Sequence, residues 1–124
     1  MKLYRMDKKI SIKSHGEDLI DLLTQSGVLD GSRQVLFEPG LSAYHMNDGT
    51  VLEIFGPGNV NPDFLFEKGQ VVPSFKVADI QKVVTRLVAE GVAIPDGIQE
   101  ALSNYAYCYA RFNSGLVIGF FQEK

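Results

Sequence analysis

The sequence predicts an α+β fold made of two βαβββ modules, and three observations carry that expectation. The first is an internal repeat: Asn47-Asp48-Gly49-Thr50-Val51-Leu52-Glu53-Ile54-Phe55-Gly56 returns as Asn113-Ser114-Gly115-Leu116-Val117-Ile118-Gly119-Phe120-Phe121-Gln122. Asn, Gly, Val and Phe recur at an offset of 66 residues (113 − 47), so the chain is a duplication. The second is a helical pattern in each half, closed by Gly27 and Gly91, because glycine takes the left-handed C-cap conformation at no steric cost. The third is a set of short alternating segments around Asn-Asp-Gly and Asn-Ser-Gly turns.

The elements follow in order. Ile10 to Lys13 alternates as a half-buried strand, and Ser14 or His15 then opens a helix with Glu17 and Asp18 in its first turn. Leu19, Ile20, Leu22 and Leu23 form its apolar stripe. Strands are expected over Gln34 to Glu38, Leu41 to Met46 and Thr50 to Phe55. The Pro-, Gly- and Asn-rich run after Gly56 reads as a linker, with Phe64 and Phe66 placed to fold back over an opening. A strand from Val71 to Val77 precedes Asp79, a good N-cap for a helix whose apolar stripe is Ile80, Val83, Val84, Leu87 and Val88. Three strands complete the chain, over Gly97 to Ser103, Asn104 to Phe112 and Leu116 to Phe121. One domain is expected, with module one at about 8–56, a linker at 57–70 and module two at about 71–122.

Composition narrows the function classes. At 124 residues and 45% hydrophobic the chain can bury a core without metal or disulfide staples. A net charge of −3 offers no broad basic surface, so no nucleic-acid partner is expected. No apolar run approaches the roughly 20 residues of a spanning helix, so no membrane partner is expected either. The single Cys108, flanked at period two by Ala106 and Ala110, reads as a small packed residue and fits a cytoplasmic location.

Phe75-Lys76-Val77-Ala78-Asp79-Ile80 with Leu87 and Gly91-Val92, together with Leu52 to Phe55 and Gly115 to Phe120, resembles the vicinal oxygen chelate family. That family holds glyoxalase I, extradiol dioxygenases, fosfomycin-resistance transferases and bleomycin-resistance proteins. The resemblance implies a glyoxalase-like half-barrel with an open cavity. It also implies a metal site, with a histidine on the first strand of a module and a carboxylate or histidine on the last. Of those positions only Glu53 is matched; Gly119, Val72 and Lys9 (Lys8 if the register slips) take the others. One ligand does not hold a catalytic metal, so no metal and no cofactor are expected.

Strand parity then selects the candidate site. If Glu53 faces the cavity, so do Val51 and Phe55, and the repeat offset puts His45 and Arg111 at equivalent inward positions. The strand Tyr105 to Phe112 splits into Ala106, Cys108, Ala110 and Phe112 on one face and Tyr105, Tyr107, Tyr109 and Arg111 on the other. The expected ligand-binding set is Glu53, Phe55, His45, Tyr105, Tyr107, Tyr109 and Arg111, suited to a flat or aromatic ligand with a polar group. Glu53 is expected to be partnered by Arg111, His45, Lys9 or the ligand, because an unpaired buried carboxylate is costly. The leading expectation is a metal-independent small-molecule-binding protein of the bleomycin-resistance type, with a homodimer as an option. The alternative is a lyase or isomerase with Glu53 as general base and His45 or a tyrosine as acid. A third reading makes Phe64, Phe66 and Phe121 a protein interface.

Overall fold

The computed structural model describes residues 6–15, 18–38, 40–57, 61–101 and 104–124, without the side chains of 36–38 and 101. It divides into two compact units, Met1–Asn61 and Pro62–Lys124.

The first unit contains β1 (Lys8–Lys13), α1 (Leu19–Gln25), β2 (Arg33–Glu38), β3 (Leu41–His45) and β4 (Thr50–Phe55). Its strand order is β2-β3-β4-β1. β1 runs parallel to β4, which requires the long return through α1, while β2, β3 and β4 form an antiparallel meander. The second unit repeats the plan with β5 (Val71–Lys76), α2 (Ile80–Ala89), β6 (Gln99–Ala101), β7 (Tyr105–Arg111) and β8 (Val117–Glu123). Here the order is β6-β7-β8-β5, with β5 parallel to β8. The fold is α+β with two βαβββ modules, as the repeat predicts.

The registers show how closely the modules correspond. Ser11 pairs with Glu53 across the β1–β4 ladder, and Ser74 pairs with Gly119 across β5–β8. The first strands are offset by 63 residues (74 − 11) and the last strands by 66 (119 − 53), so Ser11 corresponds to Ser74 and Glu53 to Gly119.

The packed core of the second unit lies under α2. Ile80, Ala106 and Cys108 are 4%, 8% and 1% exposed, and Val77, Val84, Ile94, Ile98 and Phe120 close around them. Full burial of a side chain the size of Ile80 contributes about 1.5–3 kcal/mol. Asp79 caps α2 by accepting from Lys82 N at 3.1 Å. Gln122 Oε1 accepts from Ile80 N at 2.8 Å, which ties the helix start to β8. Cys108 is the small packed residue its flanks predict, and burial pushes its thiol up from the ordinary value.

Several expectations are corrected. α1 starts at Leu19, because Ser14 N still bonds Phe55 O at 2.8 Å and so continues the strand ladder past β1. Asp18 is its N-cap residue but makes no side-chain cap bond, and Glu17 lies outside the described residues. Leu22 and Val88, both 56% exposed, are not core members of their helices. β6 begins at Gln99, because Asp96 and Gly97 at φ 63 and 64 hold a turn where a strand was expected. Leu102 and Ser103, expected in the same strand, lie outside the described residues. Phe121 is 2% exposed and so presents no interface. Among the described residues no helix is long and apolar enough to cross a membrane.

Candidate functional site

On the first sheet, the ladder registers place Lys9, Ser11 and Lys13 of β1 on one face with Val51, Glu53 and Phe55 of β4 and with Ala43 and His45 of β3. Leu52 and Ile54, 6% and 4% exposed, turn to the other face. Glu53 sits at the centre of the face with its side chain 16% exposed. Ser11, fully buried, donates its hydroxyl to Glu53 Oε1 at 2.8 Å, and Lys9 Nζ lies 3.6 Å from the same oxygen. These two groups orient the carboxylate. Lys13 donates to Asn61 Oδ1 at 3.0 Å, which places a second ammonium further along the strand.

His45 shares this face and stands opposite Val51, two residues along β4 from Glu53, whose own cross-strand neighbour is Ala43. Phe55 is 8% exposed at the end of β4. Glu53, His45 and Phe55 are therefore brought to one face, and Lys9, one of the expected partners of Glu53, pairs with it. Ser11 was missed, although the matched serines of the two first strands carry a signal for it.

On the second sheet, Tyr105, Tyr107, Tyr109 and Arg111 share the face of Val117, Gly119 and Phe121, opposite the face that packs on α2. Tyr107 and Tyr109 meet edge to face at 6.0 Å, Phe64 meets Tyr109 at 5.9 Å, and Tyr105 meets Phe121 at 6.0 Å. Phe64 thus does fold back, onto Tyr109. Tyr105 and Tyr109 are 6% and 9% exposed. Arg111 pairs with Glu67, both about 40% exposed, so its guanidinium is answered at the surface.

The position equivalent to Glu53 is closed in this unit. An added Cβ at Gly119 would lie 2.2 Å from Ser74 Oγ and 3.0 Å from Tyr109 Cε1. Ser74 is 3% exposed, and its hydroxyl has no hydrogen-bond partner among the described residues. The tyrosine ring covers the bare glycine across the strand pair, a packing that stabilises glycine in a sheet. Separately, a cavity of about 260 Å³ opens among Leu65, Lys68, Val72, Ser114 and Val117, and none of the expected site residues lines it.

No protein-family model matches the sequence, and no curated protein matches it. Solved structures do resemble it. A glyoxalase/bleomycin resistance protein/dioxygenase superfamily member from Vibrio splendidus 12B01 superposes with a TM-score of 0.62 at 12% identity, covering 95% of this chain and 99% of that one. A hypothetical protein from Bacillus halodurans C-125 gives 0.64 at 15% identity, over 99% and 96% of the two chains. A methylmalonyl-CoA epimerase variant from Streptomyces coelicolor, in complex with 2-nitronate-propionyl-CoA, gives 0.63 at 16% identity, over 98% and 99%. The fold is that of the vicinal oxygen chelate family.

The metal ion this fold family implies does not fit the residues present. Glu53 is engaged by a hydroxyl and an ammonium, and Ser74 and Tyr109 close over Gly119. Among the described residues no three His, Cys, Asp or Glu side chains gather to ligate an ion.

Proposed function

We propose that this protein is a metal-independent small-molecule-binding protein of the bleomycin-resistance type, acting in the cytoplasm by sequestration. The observation that carries the reading is the oriented Glu53 carboxylate. A side chain 16% exposed, fixed by Ser11 and Lys9 beside Phe55 and His45, is a ready polar anchor. A thermal-shift screen of the full chain against aromatic cations, acids and amides tests it. A ligand at a hundred times its Kd should add about 2.7 kcal/mol of stability, and Glu53→Gln should reduce the shift. A screen with no shift for any aromatic compound sinks the reading. A homodimer is the assembly this reading allows, and light scattering measures it.

A second reading has one observation in its favour, the structural likeness to a methylmalonyl-CoA epimerase. In it Glu53 is a general base in a lyase or isomerase. His45, which shares the face of Glu53, or a tyrosine is the acid in that reading. Loss of turnover in Glu53→Gln with unchanged melting temperature would favour this reading over sequestration.

A further inference from the structure

Three Asp-Gly pairs fall at turns of this chain: Asp30-Gly31, Asp48-Gly49 and Asp96-Gly97. Aspartate followed by glycine is the pair in which a backbone amide most readily attacks the preceding carboxyl, because glycine puts no Cβ in the way. The attack needs a carboxyl that can swing onto its own chain and an amide nitrogen with no acceptor to keep. The three pairs differ in both. At Asp48 both groups are held: Oδ1 accepts from Thr50 N at 2.9 Å, and the buried Gly49 donates its N–H to Met46 O at 3.1 Å. At Asp96 one group is held, because Gly97 N donates to Ile94 O at 3.1 Å. Asp30 and Gly31 are both exposed, and among the described residues neither the Asp30 carboxylate nor Gly31 N makes a hydrogen bond. The carboxylate only leans on Gly27, with Oδ2 3.3 Å from the place a Cβ there would take.

We propose that Asp30-Gly31 is a modification site, at which the chain isomerises through a cyclic imide to isoaspartate. Gly31 N bonds to Cγ of the protonated Asp30 carboxyl, and the carboxyl's hydroxyl leaves as water with the amide proton. Water then adds to the imide at the Asp30 α carbonyl, and the bond from that carbon to Gly31 N breaks. The product has the mass of the parent, with Asp30 Cβ and Cγ now in the main chain and the α carboxylate hanging from it. Only water is released and taken up, so no further reactant is needed. The extra backbone atom enters just ahead of Arg33, where β2 opens opposite His45. Gly31 also lies against Asn47 of the first hairpin. The change therefore bears on the edge of the sheet that carries Glu53.

The test ages the full chain in warm neutral buffer, digests it, and locates isoaspartate by electron-transfer fragmentation of the peptides, which cleaves the isomerised backbone at its own characteristic bond. Isoaspartate at Asp30 should form about tenfold or more faster than at Asp48, where two hydrogen bonds must break first, and about fivefold faster than at Asp96, where one must. In urea the three sites should react at similar rates, which assigns the difference in the folded chain to those bonds. Asp30→Glu, whose longer side chain closes the ring far more slowly, should remove the signal at that position and leave the other two unchanged. No isoaspartate at Asp30, or a rate there equal to or below that of either other site in the folded chain, overturns the proposal. So does a ranking that persists in urea, which would make flanking sequence the cause and not the fold.

Discussion

The two modules solve the same position in opposite ways. In the first, Ser11 on the opening strand donates to Glu53 on the closing strand, and Lys9 completes a polar cluster. In the second, Ser74 meets Gly119, Val72 stands where Lys9 would, and an aromatic ring lies where a carboxylate would project. Duplication preserved the backbone and the serine while the chemistry went to one side only. A carboxylate on a sheet face needs its donors supplied by neighbouring strands, and a module that loses the carboxylate can fill the space with packing instead.

Substitutions probe that contrast directly. Gly119→Ala should be the most costly, by about 2–3 kcal/mol, because the new Cβ meets Ser74 and Tyr109 in a place with no room to relax. Urea unfolding measures it, and a midpoint equal to that of the parent would show that Ser74 simply rotates away. Next comes a matched pair: Ser11→Ala should cost about 1.5–3 kcal/mol by removing a bond to a charged group, while Ser74→Ala should be near neutral or stabilising. Equal costs would mean that the two serines are not the different residues the structure makes them.

The helix starts give a smaller contrast. Asp79→Ala should cost about 1 kcal/mol, and Asp18→Ala much less, since only Asp79 caps its helix with a side-chain bond. The least effect belongs to the turns. Asp48 Oδ1 accepts from Thr50 N at 2.9 Å, and that backbone bond holds its carboxyl below the ordinary value. A lowered folded-state pKa contributes stability above the unfolded value, so this contribution fades as pH falls below about 4. The equivalent Ser114 Oγ accepts from Leu116 N at 3.4 Å and carries no charge, so a Asp48→Ser variant should lose that part of the acid dependence. Melting curves from pH 3 to 7, taken on both proteins, would show parallel profiles if the turn bond contributes nothing.

The sequence gives up the fold through local rules. Asn47-Asp48-Gly49 and Asn113-Ser114-Gly115 place the hairpins within a residue, because Gly49 and Gly115 sit at φ 88 and 93, where other residues are strained. Alternation along β7 divides Tyr105, Tyr107 and Tyr109 from Ala106 and Cys108 correctly, because successive side chains must point to opposite faces. Local rules fail where the chain is held from a distance. The late start of α1 depends on Ser14 bonding to Phe55, 41 residues away, and Phe121 is buried beside Tyr105 although it lies near the chain's end.

Residue identities and their spacing thus determine the duplication, the turns and the strand faces. Which groups surround Glu53 is a matter of strand neighbours and register: β1 lies beside β4 and in step with it, so Ser11 and Lys9 reach the carboxylate. Those contacts join residues 42 and 44 positions apart, and no periodicity or propensity within a segment can encode a distance across a ladder.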